Sequence, residues 1–102
     1  MGKFVYVYAG GTLEETQEAR DKAMQEWGAW FGTLGDAVVE MGNPFGASTT
    51  VKSGGPAGSG VSGLGGYSVI SAESLDAAAA KAGGCPVLKR GGTVEVYEAL
   101  EM

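Results

Sequence analysis

Five consecutive residues near the start of the chain, Phe4 to Tyr8 (FVYVY), are all aromatic or β-branched. Such a run reads as a strand. Alternation sends Phe4, Tyr6 and Tyr8 to one face and Val5 and Val7 to the other. Both faces are apolar, so both need cover. That requirement restricts the fold, because a chain of 102 residues has enough surface for one core and about two layers. Any third layer must come from elsewhere.

Patterning supplies the remaining elements. Gly10 and Gly11 end the first strand. Thr12 opens a helix with Glu15 three residues on, the spacing of a capping box, and Glu14, Glu15 and Glu18 crowd the positive end of its dipole. Ala19, Ala23, Trp27, Trp30, Phe31 and Leu34 recur at spacings of three and four and predict one apolar helical stripe ending at Gly35. Gly28 and Gly32 interrupt it at about 1 kcal/mol each relative to Ala, a loss that close packing against a sheet or second helix would offset.

Asp36 to Met41 (DAVVEM) reads as a second strand, closed by Gly42-Asn43-Pro44. Ser48 to Lys52 (STTVK) reads as a short polar edge strand, and Tyr67 to Ile70 as another strand. A second helix is expected from about Ser74 to Ala82, capped by Ser71 or Ser74, with Leu75, Ala78, Ala79 and Ala82 on its apolar side. Gly83, Gly84 and Pro86 stop it. Thr93 to Tyr97 (TVEVY) is the last strand, with Val94 and Val96 inward.

Glycine is concentrated between these elements. Of 19 glycines, nine lie between Gly42 and Gly66. The stretch SGGPAGSGVSGLGG, at about 53–66, reads as one long mobile loop. Loops longer than about 12 residues are lids or disordered insertions, and both readings stay open.

The order is β-α-β-(β)-β-α-β in a single domain over residues 1–102. It predicts an α+β fold: a ferredoxin-like βαββαβ protomer with one extra short strand and both helices on one face of an antiparallel sheet. The second face of the FVYVY strand is then bare. An exposed apolar face of that size marks an interface, and a homodimer packed sheet on sheet is the expected cover.

Composition narrows the function. Seven Lys and Arg against twelve Asp and Glu give a net charge of −5, which speaks against a nucleic-acid partner. No apolar run is long enough to span a membrane. The opening MGKFVYVYAGGTLEE lacks the apolar core of a secretory signal, so a cytoplasmic location is expected. Histidine is absent, which removes His-based triads and general bases. With one cysteine, no metal site and no cofactor are expected.

The remaining candidates are few. Asp36 is a possible cleft carboxylate or a turn residue bonding nearby amides. Cys85 follows a helix C-terminus, where the dipole disfavours a thiolate, and reads as a packed small hydrophobe. Gly10-Gly11-Thr12 is either an anion site or a turn. Tyr6, Trp27, Trp30, Phe31 and Tyr67 form either core or the wall of an apolar pocket whose polar groups would be Tyr67, Asn43 and Asp36.

The C-terminal half carries a pattern: GGYSVISAESLDAAAAKAGGCP, Gly65 to Pro86, followed by GGTVEVYE, Gly91 to Glu98. With FVYVYAG, EWGAWFGTLGDAVVEMGNPFG and STTV, it resembles the YCII-related family, which includes the DGPF proteins. The resemblance implies a dimeric α+β barrel of ferredoxin-like protomers, and for a few relatives an enzyme with a His-Asp pair in a cleft. This chain has no His, and Val87 follows Cys85-Pro86 where close relatives often carry it. The Asp-Gly-Pro-Phe motif is absent, and Asp36 alone could stand for the acid. The expectation is a homodimer binding a small molecule through Tyr6, Trp27, Asn43 and Tyr67 without His-based catalysis. The alternatives are a small-molecule lyase or hydrolase using Asp36 as its catalytic group, and a purely structural assembly module.

Overall fold

A computed structural model describes residues 2–10, 16–58 and 63–101. The first strand, β1 (Gly2–Ala9), is followed by helix α1 (Gln17–Leu34) and strand β2 (Val38–Glu40). Strands β3 (Thr50–Lys52) and β4 (Gly55–Gly58) come next, then β5 (Leu64–Ala72), helix α2 (Leu75–Ala82) and strand β6 (Thr93–Ala99). The fold is α+β: a four-stranded sheet in the order β2-β5-β1-β6, all neighbours antiparallel, with two helices. A separate two-stranded sheet is formed by β3 and β4.

Both helices cover the same sheet face. Phe4, Tyr6 and Tyr8 of β1 and Ser68, Ile70 and Ala72 of β5 are buried there. Trp30 comes down from α1, Ala78 and Ala82 from α2, and Cys85 and Val87 from the segment after it. Trp30 stacks on Tyr6 at 5.9 Å, and Trp27 meets Tyr8 edge-on at 4.9 Å. The buried hydroxyls are satisfied. Tyr6 donates to the Ala78 carbonyl at 2.5 Å, Tyr8 to Ser68 Oγ at 2.7 Å, and Ser68 in turn to the Met41 carbonyl at 2.6 Å. The far end of the fold is held by Glu26 of α1, which accepts from Arg90 at 2.8 Å and from Lys89 at 3.3 Å.

Several local expectations change. The Thr12–Glu15 capping pair lies outside the described residues. The cap the structure describes is Thr16, whose Oγ1 accepts from the Ala19 amide at 3.0 Å. Gly28 and Gly32 are not packed against anything: a Cβ on either would have no neighbour within 4 Å. They lie on the solvent side of α1, so no contact offsets their propensity cost. On α2, Ser74 is the cap, and the inward side is Ala77, Ala78 and Ala82. Leu75 is half exposed and Ala79 also faces solvent, because the short helix turns Ala78 onto Tyr6.

Asp36 does not begin a strand. It sits in a 3-10 turn, Gly35–Ala37, that reverses the chain after Gly35 takes a positive φ of 55°. The Ser48–Lys52 segment is no edge of the main sheet, and the glycine stretch is not one open loop. Gly55–Gly58 pairs with Thr50–Lys52 across a tight Ser53-Gly54 turn, and Leu64 to Gly66 already belong to β5. Backbone pairing needs no side chains, and Gly55 and Gly58 reach φ values of 119° and 108° that only glycine adopts freely. The part of the stretch at 59–62 is outside the described residues.

Candidate functional site

The face of the sheet away from the helices carries Val5 and Val7 of β1, Tyr67 and Val69 of β5, and Tyr97 of β6. Register places Val69, Val5 and Tyr97 in one row across the strands, and Tyr67, Val7 and Glu95 in the next. No helix among the described residues covers them. Tyr97 is 53% exposed, and its hydroxyl, held above its ordinary pKa by the neighbouring Glu95 carboxylate, donates to that carboxylate at 3.3 Å.

A polar and aromatic cluster sits at the β2 side of this face. In β2, Val38 pairs with Ile70 but Glu40 pairs with Val69, so one residue is bulged out between them. Strict alternation would turn Glu40 toward the helices. The bulge turns it to the open face, where it accepts a hydrogen bond from the Tyr67 hydroxyl at 2.6 Å. That bond to the carboxylate, with some desolvation, raises the Tyr67 pKa, and the Asn43 side chain at the same hydroxyl opposes the shift.

The backbone fixes this arrangement. The Tyr67 amide donates to the Asn43 carbonyl at 3.3 Å and the Phe45 amide to the Gly65 carbonyl at 2.9 Å. Phe45 then lies over Tyr67, ring centres 5.8 Å apart and 19° from parallel. The close approach needs Gly42. Its φ is 78°, and a Cβ there would fall 1.8 Å from the Tyr67 carbonyl oxygen.

Beside Phe45, which is 46% exposed, a groove of about 410 Å³ runs between the residues leading into β3 and the start of β5. Leu64 and the Ser48, Thr49 and Thr50 segment line it. The volume falls in the usual range for small-molecule clefts, about 300–1,000 Å³. Within that lining, the Thr49 hydroxyl donates to the Gly58 carbonyl at 2.9 Å.

The residues singled out from sequence are thus divided. Tyr67 and Asn43 come together. Tyr6 and Trp27 lie on the other side of the sheet, within the core; burial pushes the Tyr6 hydroxyl up to about 12. Asp36 lies in a second groove of about 280 Å³ at the other end of β5, with Ser71, Glu73 and Lys81. Cys85 is buried and its thiol is pushed up to about 11 by desolvation, against a bond from the Val87 backbone. Sequence reasoning missed Glu40, because only a bulge brings it to this face, and Phe45, whose place directly after the Asn43-Pro44 turn was the available signal.

Among the described residues no group of three or more His, Cys, Asp or Glu is placed to hold a metal, and no helix is long and apolar enough to cross a membrane. No family model, curated protein or solved structure matches the chain.

Proposed function

We propose that this chain is the protomer of a YCII-related homodimer that binds a small molecule without His-based catalysis. The observation that carries the reading is the open sheet face, where no helix among the described residues covers Val5, Val7, Val69 or Tyr97. An apolar face of this kind on a small domain is the usual mark of an interface, and a second copy offers a surface of the same chemistry through two-fold symmetry. Setting the β3–β4 hairpin aside, the order β6-β1-β5-β2 is fourth, first, third, second. That order, with both helices on one face, supports a ferredoxin-like protomer and, after pairing, a dimeric α+β barrel.

The ligand site in this reading is the Phe45 groove, with Phe45 stacked on Tyr67, whose hydroxyl donates to Glu40 and lies by the Asn43 side chain. The protein works in the cytoplasm, where its single buried thiol stays reduced. Light scattering on the full chain at micromolar concentration tests the reading. A mass of twice 10.3 kDa is expected, and a mass of 10.3 kDa at all concentrations overturns it.

A further inference from the structure

The open face of the main sheet is apolar at its centre and charged at its two ends, and the ends differ in sign. Phe4, Tyr6 and Tyr8 are buried under the helices, so Lys3, Val5 and Val7 of β1 point to the open face. On β6, Val94 and Val96 pack against the core, which turns Glu95 and Tyr97 the same way. Register sets these residues in three rows across β5, β1 and β6. The first is Ser71, Lys3 and Ala99, the second Val69, Val5 and Tyr97, and the third Tyr67, Val7 and Glu95. Successive rows are about 7 Å apart.

Charge and size are both distributed unevenly over these rows. Lys3 is the one cation and Glu95 the one anion in them. Among the described residues neither forms an ion pair, and Glu95 accepts only from Tyr97 at 3.3 Å. Ser71 and Ala99 leave the flanks of the first row low, whereas Tyr67 and Glu95 raise the flanks of the third. Glu40 stands outside the rows at the exposed β2 edge, where the Tyr67 hydroxyl already donates to it at 2.6 Å.

Two identical sheets packed face to face are related by a two-fold axis lying between them, and aligned packing leaves two orientations. An axis along the strands stacks the first row on itself and the third row on itself. Lys3 then meets Lys3, Tyr67 collides with Glu95, and Ser71 faces Ala99 across a gap. Like charges set against each other in this way weaken an interface. An axis across the strands stacks the second row on itself and the first row on the third. Val5, Val69 and Tyr97 then bury one another at the centre. Tyr67 fills the space above Ser71, and Lys3 comes one strand, about 4.8 Å sideways, from the opposing Glu95.

We propose that two copies of this chain pair face to face with their β1 strands antiparallel about the Val5 row, so that Lys3 of each lies beside the partner's Glu95. This rests on the homodimer reading and adds its orientation and register. The two-fold axis forms the charge pair twice, once at each end of the interface.

Sedimentation of the full chain over a range of concentrations tests it, on wild type, Lys3→Glu and Glu95→Lys, and on an equimolar mixture of the two variants. Both positions are exposed, and unchanged circular dichroism verifies folding. Each variant alone sets two like-charged pairs in its own dimer and is expected to associate about tenfold or more weakly. The mixture is expected to recover most of the loss, because a dimer of one variant with the other restores an opposite pair at both ends. A wild-type dimer whose association is unmoved by the single changes, or a mixture that associates no better than its components, overturns the antiparallel register and leaves the homodimer standing. A monomeric wild type overturns both.

Discussion

The Tyr67 hydroxyl donates to Glu40 Oε1 at 2.6 Å, joining the third strand of the main sheet to a bulged edge strand 27 residues earlier in the chain. The bond favours the neutral phenol, because an ionised Tyr67 would both lose it and face a carboxylate. Glu40→Gln is therefore expected to move Tyr67 ionisation down toward the ordinary value of about 10. Titration of the tyrosine ring carbons by NMR reads this directly. An unmoved Tyr67 would show that the bond is not kept in solution.

Two glycine substitutions should act in opposite directions. Gly42→Ala puts a Cβ 1.8 Å from the Tyr67 carbonyl oxygen at a φ of 78°. The chain cannot accept it without moving β2 off β5, so a severe loss is expected, several kcal/mol on the scale of backbone misfits. Gly28→Ala enters open space on a helix and should gain about 1 kcal/mol. Denaturant midpoints measure both. A loss at position 28 would mean that the outer face of α1 is packed in solution.

The acid limb of stability should depend on Glu26. Its hydrogen bonds from Arg90 and then Lys89 hold its carboxyl below the ordinary value. A depressed acid stabilises the fold above its unfolded pKa and loses that contribution as the pH falls through the folded one. Glu26→Gln should therefore lower Tm near neutral pH, with the two melting curves converging below about pH 4. Equal Tm values at neutral pH would contradict the tie between α1 and the segment after α2.

The alkaline limb should depend on three buried groups. Desolvation holds the Cys85 thiol up at about 11 and Tyr6 at about 12, and raises Tyr8 further. A raised acid keeps its full stabilising contribution below its unfolded pKa and loses it as the pH climbs toward the folded one. Stability should fall from about pH 9 upward. Of the four tyrosines, Tyr6 and Tyr8 should ionise only with unfolding, as a cooperative step in ultraviolet absorbance. Thiol labelling of Cys85 should keep to the same step. Smooth ionisation of all four tyrosines would contradict the packed core.

Much of the fold was legible because it rests on periodicity. The alternation in FVYVY and the spacing of Trp27, Trp30 and Leu34 on α1 are properties of the residues themselves. Leu75 faces outward against the sequence pattern because a two-turn helix is placed by which alanines reach Tyr6, not by which side chain is largest. The β3–β4 pairing was hidden because glycine strands announce no pattern. The candidate site was only half visible. Tyr67 and Asn43 stand at turn and strand positions that sequence marks, whereas Glu40 arrives through a one-residue bulge, and no residue pattern signals that register shift.

In the proposed homodimer a second copy covers the open face of the sheet. Isotope-filtered NMR on a mixture of labelled and unlabelled chains tests that face itself. Contacts are expected between the methyls of Val5, Val7 and Val69 in one protomer and residues of the same face in its partner. A dimer with no such contacts, or a species of 10.3 kDa with these methyls open to solvent, would contradict it.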